Sequence, residues 1–206
     1  EGFEYEVIIV GSGAGGGMAA HVLTQAGVKV LLLEAGRDYD PVSETPMFQQ
    51  GHEAPLRGVS TSDKNFGYYD ATVDGGWQVP GEPYTEATDS RFMWWRARML
   101  GGRTNHWGRL VPRFTPADFK PYSTDGVGTD WPVDYDEISP WYDQCEELVG
   151  VCGDNPGLDD TPSSSDGVLL PPPKPRVMEL LLKSACESLG IPAVPMRRAI
   201  LTEPKD

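Results

Sequence analysis

An α/β fold built on a dinucleotide-binding βαβ unit is predicted by three observations taken together. A short β-branched run at residues 5–10 (YEVIIV) leads into Gly11-Ser12-Gly13-Ala14-Gly15-Gly16. That glycine turn opens a helical stretch at 18–25, which Gly27 stops. A second apolar run at 28–33 (VKVLLL) then ends in Glu34-Ala35-Gly36-Arg37. A strand, a glycine turn, a helix and a second strand within about 30 residues are what a parallel βαβ unit requires. Both apolar runs read as buried parallel strands.

Each part of the glycine turn has a mechanical reason. Gly11 permits the tight turn, Gly13 lets main chain approach a pyrophosphate, and Gly16 lets the helix pack close to the strand. The helix start beside Ala14 presents unpaired N–H groups and positive dipole to phosphates. Glu34, at the end of the next strand, is suited to accept from adenosine ribose hydroxyls and disfavours a 2′-phosphate, which argues against NADP. FAD is favoured over NAD by the position of the unit near residue 1 of the chain. The Ala35-Gly36-Arg37 continuation, which extends the contact region past the carboxylate, favours it too.

Farther along, periodicity fades at residues 38–91, where Pro, Gly, Asp, Tyr and Thr dominate. Long excursions of this kind inside a compact protein commonly cover a ligand or make an interface. Residues 92–99 (FMWWRARM) are apolar, aromatic and basic, and run into Leu100-Gly101-Gly102-Arg103-Thr104-Asn105-His106-Trp107-Gly108. Residues 136–149 read as a helix capped by Asp136, with Ile138, Trp141, Tyr142, Cys145 and Leu148 at helical spacing. Residues 153–175 are rich in Pro, Ser, Asp and Gly and read as an exposed connection with a stiff end at Pro171-Pro172-Pro173. An amphipathic helix at 176–189, stopped by Gly190, precedes an extended segment at 191–201. The expected organisation is residues 1–150 as the nucleotide-binding domain, 151–175 as a linker and 176–206 as a helix and extended segment. One βαβ unit is too little sheet to cover itself, so the fold is expected to be incomplete within these 206 residues.

Composition narrows the function. Net charge is −14 with a sequence pI near 4.5. Nucleic-acid binding needs basic clusters that displace counterions, and the longest basic run is Arg197-Arg198. No stretch reaches the length of a transmembrane span. This fits a soluble protein and leaves cytoplasm and periplasm both open. Cys145, Cys152 and Cys186 match no zinc spacing and form a poor disulfide framework; Cys145 and Cys186 read as buried thiols in helices. His21 and His52 read as structural. Residues 154–166 read as a solvated loop without calcium-site spacing, and no metal is expected. Arg96 and Arg98 read as solvated or ion-paired side chains, and Trp94, Trp95 and Trp107 as core more than as a substrate platform.

On three segments the sequence resembles the glucose–methanol–choline (GMC) oxidoreductases: VIIVGSGAGGGMAA with LLLEAGR, the run from Arg98 to Gly108, and Asp130-Trp131-Pro132-Val133-Asp134-Tyr135 with Ile138, Tyr142 and Glu146. The likeness is closest to bacterial members resembling sugar-oxidising pyranose oxidases. It implies a Rossmann-like FAD-binding domain with long irregular excursions and the start of a substrate cap. It implies FAD as cofactor and oxidation of an alcohol group of a sugar, polyol or glycoside to a ketone. The resemblance places Gly101 and Gly102 beside the flavin ring, Thr104 and Asn105 as donors at the ring edge, Arg103 toward a phosphate, and Trp107 in the same contact region. His106 stands where several members attach FAD covalently, and a packing or hydrogen-bonding histidine is the equal alternative.

The catalytic base is expected outside this sequence, in the rest of the enzyme or a second chain. Oxygen, a quinone or a cytochrome is the expected electron acceptor. Two other readings stay open: a flavin-binding portion active only with a partner chain, and a lyase of the same fold.

Overall fold

The computed structural model describes residues 4–38, 40, 59, 62, 85–90, 98–105 and 107–204. The chain forms two compact units, Glu1–Trp107 and Gly108–Asp206. Among the described residues no helix is long and apolar enough to cross a membrane.

In the first unit, strand β1 (Val7–Val10) runs parallel to β2 (Val30–Leu33), with Val7 opposite Val30 and Val10 opposite Leu33. The Gly11 N–H extends the ladder to the Leu33 carbonyl at 2.7 Å. Helix α1 (Ala14–Gln25) crosses between the strands. It begins four residues earlier than the apolar pattern suggests, because Gly15, Gly16 and Gly17 are helical despite their weak propensity. Ala26 ends it, and Gly27 follows at φ +80°. The buried-strand expectation needs correction for both strands, neither of which holds a buried residue; at the end of β2 Leu33 is exposed. Ile8 is 63% and Val10 82% exposed, since a two-stranded sheet with one helix covers only one face.

A third segment reaches this sheet from far along the chain. Met99 forms a parallel bridge with Arg37, and the Leu100 N–H donates to the Arg37 carbonyl at 2.9 Å. Met99 is fully buried. The segment then turns into a 3-10 helix at Gly102–Asn105.

The second unit has more helix than strand, joined by long irregular stretches. A 3-10 turn at Pro116–Phe119 leads to α2 (Pro121–Asp125), then α3 (Tyr135–Val149), β3 (Val151–Cys152), α4 (Val177–Ser188) and β4 (Arg198–Ala199). Strands β3 and β4 pair antiparallel, and Cys152 also bridges Leu170. Phe119 is buried and meets Phe114, Trp131 and Tyr135 edge-on, each at 6.3 Å between ring centroids. Such pairs add about 0.5–1.5 kcal/mol each beyond their buried area.

Several expectations change here. Asp134, not Asp136, precedes α3, and Glu137 reaches back to accept from the Asp134 N–H at 2.9 Å, as in a capping box. On α3 the expected apolar stripe is largely outside: Trp141, Cys145 and Leu148 are exposed, while Glu146 is buried. The helix turns carboxylates inward to meet buried arginines. Cys186 is only half-buried, and Cys152 in β3 is the buried thiol. No residue of α4 is buried, although its ends match the apolar pattern within one residue. Within 153–175, Ser164 and Gly153 are buried, so this stretch packs against the unit at those points. The aspartates at 154, 159, 160 and 166 are exposed.

Candidate functional site

The glycine turn, the end of β2 and the 3-10 helix at Gly102–Asn105 meet in the first unit. Helix α1 starts at Gly13 in extended backbone, with no side chain capping it and no acidic residue in its first turn. Its first N–H groups therefore lack partners within the helix. An anion placed there gains their hydrogen bonds and the favourable end of the helix dipole.

The glycines divide by what surrounds them. A Cβ at Gly16 would stand 1.9 Å from the Gly11 carbonyl oxygen, so only hydrogen fits where helix meets strand. At Gly36 a Cβ would fall 2.1 Å from the Arg98 carbonyl carbon and the Met99 nitrogen; this glycine admits the incoming segment. Gly13 is different, because among the described residues nothing lies within 4 Å of where its Cβ would be. Open space thus stands at the uncapped helix start, which is what a bound diphosphate needs. The residues present fit that group. Gly102 also packs close, since a Cβ built on it would stand 3.4 Å from the Gly13 Cα.

Glu34 ties the turn together. Its Oε2 accepts from the Ser12 N–H at 2.9 Å and from the Ser12 hydroxyl at 2.5 Å, and its Oε1 accepts from the Gly36 N–H at 2.8 Å. Partial burial pushes its pKa up, but the hydrogen bonds from Ser12 and Gly36, helped by the nearby Ala35 main chain, outweigh this and hold the carboxyl below its ordinary value. The Gly101 N–H donates to the Ser12 oxygen at 2.8 Å, so the two glycine segments share one hydroxyl.

The remaining expected site residues fall as follows. Ala14 opens α1 and is exposed, as are Ala35, Arg37, Arg103, Thr104, Asn105 and Trp107. The Thr104 hydroxyl donates to the Gly101 carbonyl at 2.5 Å, and the Asn105 amide donates to the Leu100 carbonyl at 2.7 Å. Both side chains thus brace their own turn. His106, Trp94, Trp95, Arg96 and His52 lie outside the described residues. His21 is exposed on α1. Among the described residues no three His, Cys, Asp or Glu side chains gather as metal donors.

A second polar centre, which the sequence reading missed, lies in the second unit. Arg113 donates through Nε to Glu146 Oε1 at 2.9 Å and through Nη2 to Glu146 Oε2 at 2.6 Å, and Nη2 also pairs with Asp143. Its Nη1 donates to the Tyr135 hydroxyl at 3.2 Å and the Ser163 carbonyl at 3.2 Å, and its guanidinium lies over the Tyr142 ring. Arg197 donates to Glu146 at 3.4 Å, to the Asn155 side chain at 2.8 Å and to the Pro162 carbonyl at 2.8 Å. Burial would lower the Arg113 pKa, but Glu146, Tyr135 and Asp143 raise it above the ordinary value. Burial pulls the Arg197 pKa down, partly offset by Glu146. The sequence named Tyr135, Tyr142 and Glu146 only as part of the family resemblance and Arg197 only as half of a basic pair, with nothing to link them.

The FAD binding domain family matches residues 4–51. The chain is 33% identical to 2-methyl-1,2-propanediol dehydrogenase of Mycolicibacterium austroafricanum, over 98% of this chain and 34% of that protein. It is 33% identical to the fructose dehydrogenase large subunit of Gluconobacter japonicus, over 77% of this chain and 29% of that protein. The chain thus spans about a third of the length of the curated relatives it matches. Among solved structures, pyridoxine 4-oxidase from Mesorbium loti aligns with a TM-score of 0.50 at 18% identity, over 97% of this chain and 37% of that one. That likeness concerns the fold.

Proposed function

The chain belongs, over the portion it spans, to the glucose–methanol–choline oxidoreductases and carries their FAD-binding domain; from that premise we propose that the full protein oxidises the alcohol group of a sugar, polyol or glycoside. One observation carries the reading most directly: an uncapped helix start with open space at Gly13, flanked by the Glu34 carboxylate. The names of the relatives support the substrate class, since one is a diol dehydrogenase and another belongs to a fructose dehydrogenase.

In this reading Gly11, Gly13, Ala14 and Gly16 hold the pyrophosphate through main-chain N–H groups. Glu34 accepts from the adenosine ribose, and Ala35, Gly36 and Arg37 continue that contact. The stretch from Gly101 to Asn105, with His106 and Trp107, lies along the flavin. Bound FAD supplies the acceptor for the hydride that leaves the alcohol carbon. The hydroxyl proton goes to a base outside this sequence, and oxygen, a quinone or a cytochrome takes the electrons onward.

Absorption spectroscopy of the full natural polypeptide tests the reading. FAD should remain bound through desalting, and its visible band should bleach when a sugar or polyol is added without an electron acceptor. Failure to hold FAD sinks the site; stable yellow colour that no alcohol bleaches sinks the oxidation.

A further inference from the structure

The Ser12 side chain occupies one of the two unassigned positions inside the glycine turn, yet it is 93% buried and engaged on two sides, its relative exposure being 7%. Its oxygen accepts from the Gly101 N–H, which is a donor only. The single hydroxyl proton is thereby left for Glu34, and the 2.5 Å separation from Oε2 is that of a charge-assisted bond. The Ser12 N–H reaches the same oxygen and the Gly36 N–H reaches the other. A carboxylate offers about four acceptor positions. Three are filled by the chain itself, so the carboxylate is fixed in orientation before any nucleotide arrives.

We propose that Ser12 is a positioning residue for the nucleotide: its hydroxyl, oriented by the Gly101 N–H, holds Glu34 with its remaining acceptor position available to the adenosine ribose. The inference rests on the FAD reading above. It goes beyond the glycine fingerprint, which leaves this position open to any residue. Serine suits it because a hydroxyl both donates and accepts; alanine does neither.

A double-mutant cycle on FAD affinity tests this in the full natural polypeptide. Ser12→Ala alone should weaken FAD binding about tenfold, as expected for losing one hydrogen bond to a charged group. Made in a Glu34→Ala background, the same change should cost less than about threefold, because residues acting through one contact are not additive. A merely structural serine would weaken binding by the same factor in both backgrounds. Ser12→Gly, which removes the same hydroxyl, provides a second variant should the alanine protein fail to fold, and it should show the same dependence on Glu34. Equal FAD affinity in wild type and both Ser12 variants, or full additivity with Glu34→Ala, overturns the proposal. Wild type that binds no FAD overturns the parent reading instead.

Discussion

At the start of α1, main-chain N–H groups face open space with no side chain capping them. At Arg113, by contrast, every nitrogen of the guanidinium donates to a group of the chain itself. The first arrangement keeps donors ready for an anion that comes from outside. The second neutralises two buried cations with two carboxylates, Asp143 and Glu146, and leaves only the Arg197 Nε without a partner among buried side-chain atoms of the described residues. The difference separates a polar site built to bind from one built to hold a fold. Glu34 accepts three hydrogen bonds and is assigned to the first kind on the proposed reading, in which those bonds hold it ready for the adenosine ribose.

The strongest way to sharpen the contrast is to remove the central carboxylate of the closed network. Glu146→Ala leaves Arg113 and Arg197 buried without their shared partner, and breaking a buried pair from one side costs about 3–5 kcal/mol. Denaturant unfolding should show that loss. A loss below about 1 kcal/mol would mean that the arginines find water or other acceptors, and that the network is not closed.

Two glycine variants test the open site from both directions. Gly16→Ala forces a methyl against the Gly11 carbonyl. It should destabilise the chain by about 1–3 kcal/mol, the range for overpacking, and abolish FAD retention as a consequence. Gly13→Ala meets nothing within 4 Å among the described residues. Its stability should change by less than about 0.5 kcal/mol, as for an unobstructed substitution. FAD affinity should nevertheless fall at least about tenfold, since the methyl enters the space assigned to the diphosphate. Unchanged affinity in Gly13→Ala would remove the diphosphate from that position and break the comparison.

The two regions also differed in how far the sequence disclosed them. The open site is written within residues 11–36, where glycine spacing, two apolar runs and one acidic residue lie close together. Local steric rules suffice to read it. The approach of Met99 to Arg37 is not local: Gly36, read from the sequence as a cofactor contact, is the position whose missing side chain admits the Arg98–Met99 backbone. The closed network joins the α3 pair Asp143 and Glu146 to Arg113 and Arg197, and no spacing rule links those arginines to the helix. On α3 the expected apolar stripe misled, because helical spacing reports a face without saying whether that face is inside. Asp134 with Glu137 three residues on was a readable capping box; Asp136 competed with it only by lying near the same end. Ser12 was passed over because the fingerprint specifies glycines and leaves its own position free.

Acidity offers the smallest effect and a direct comparison of the two centres. Burial pushes the Asp143 pKa up, but hydrogen bonds from Ser165 and Arg113, and the charge of Arg113, bring it below the ordinary value. A carboxylate whose folded pKa is depressed contributes stability that is fully present above its unfolded pKa. That contribution is lost as pH falls through the folded pKa. For Asp143 the loss should therefore begin below about pH 4, where an ordinary aspartate takes up its proton. Asp143→Asn has no charge to lose, so its unfolding free energy should fall less steeply than wild type between pH 5 and 3, by roughly 1 kcal/mol or less. Glu34 is depressed in the same direction, and Glu34→Gln should flatten the same limb. FAD added in excess should stabilise the Asp143→Asn protein as much as wild type, because the ligand acts at the open centre. If FAD stabilises Asp143→Asn markedly less at pH 7, the two centres are energetically one, and the division drawn between binding and holding fails.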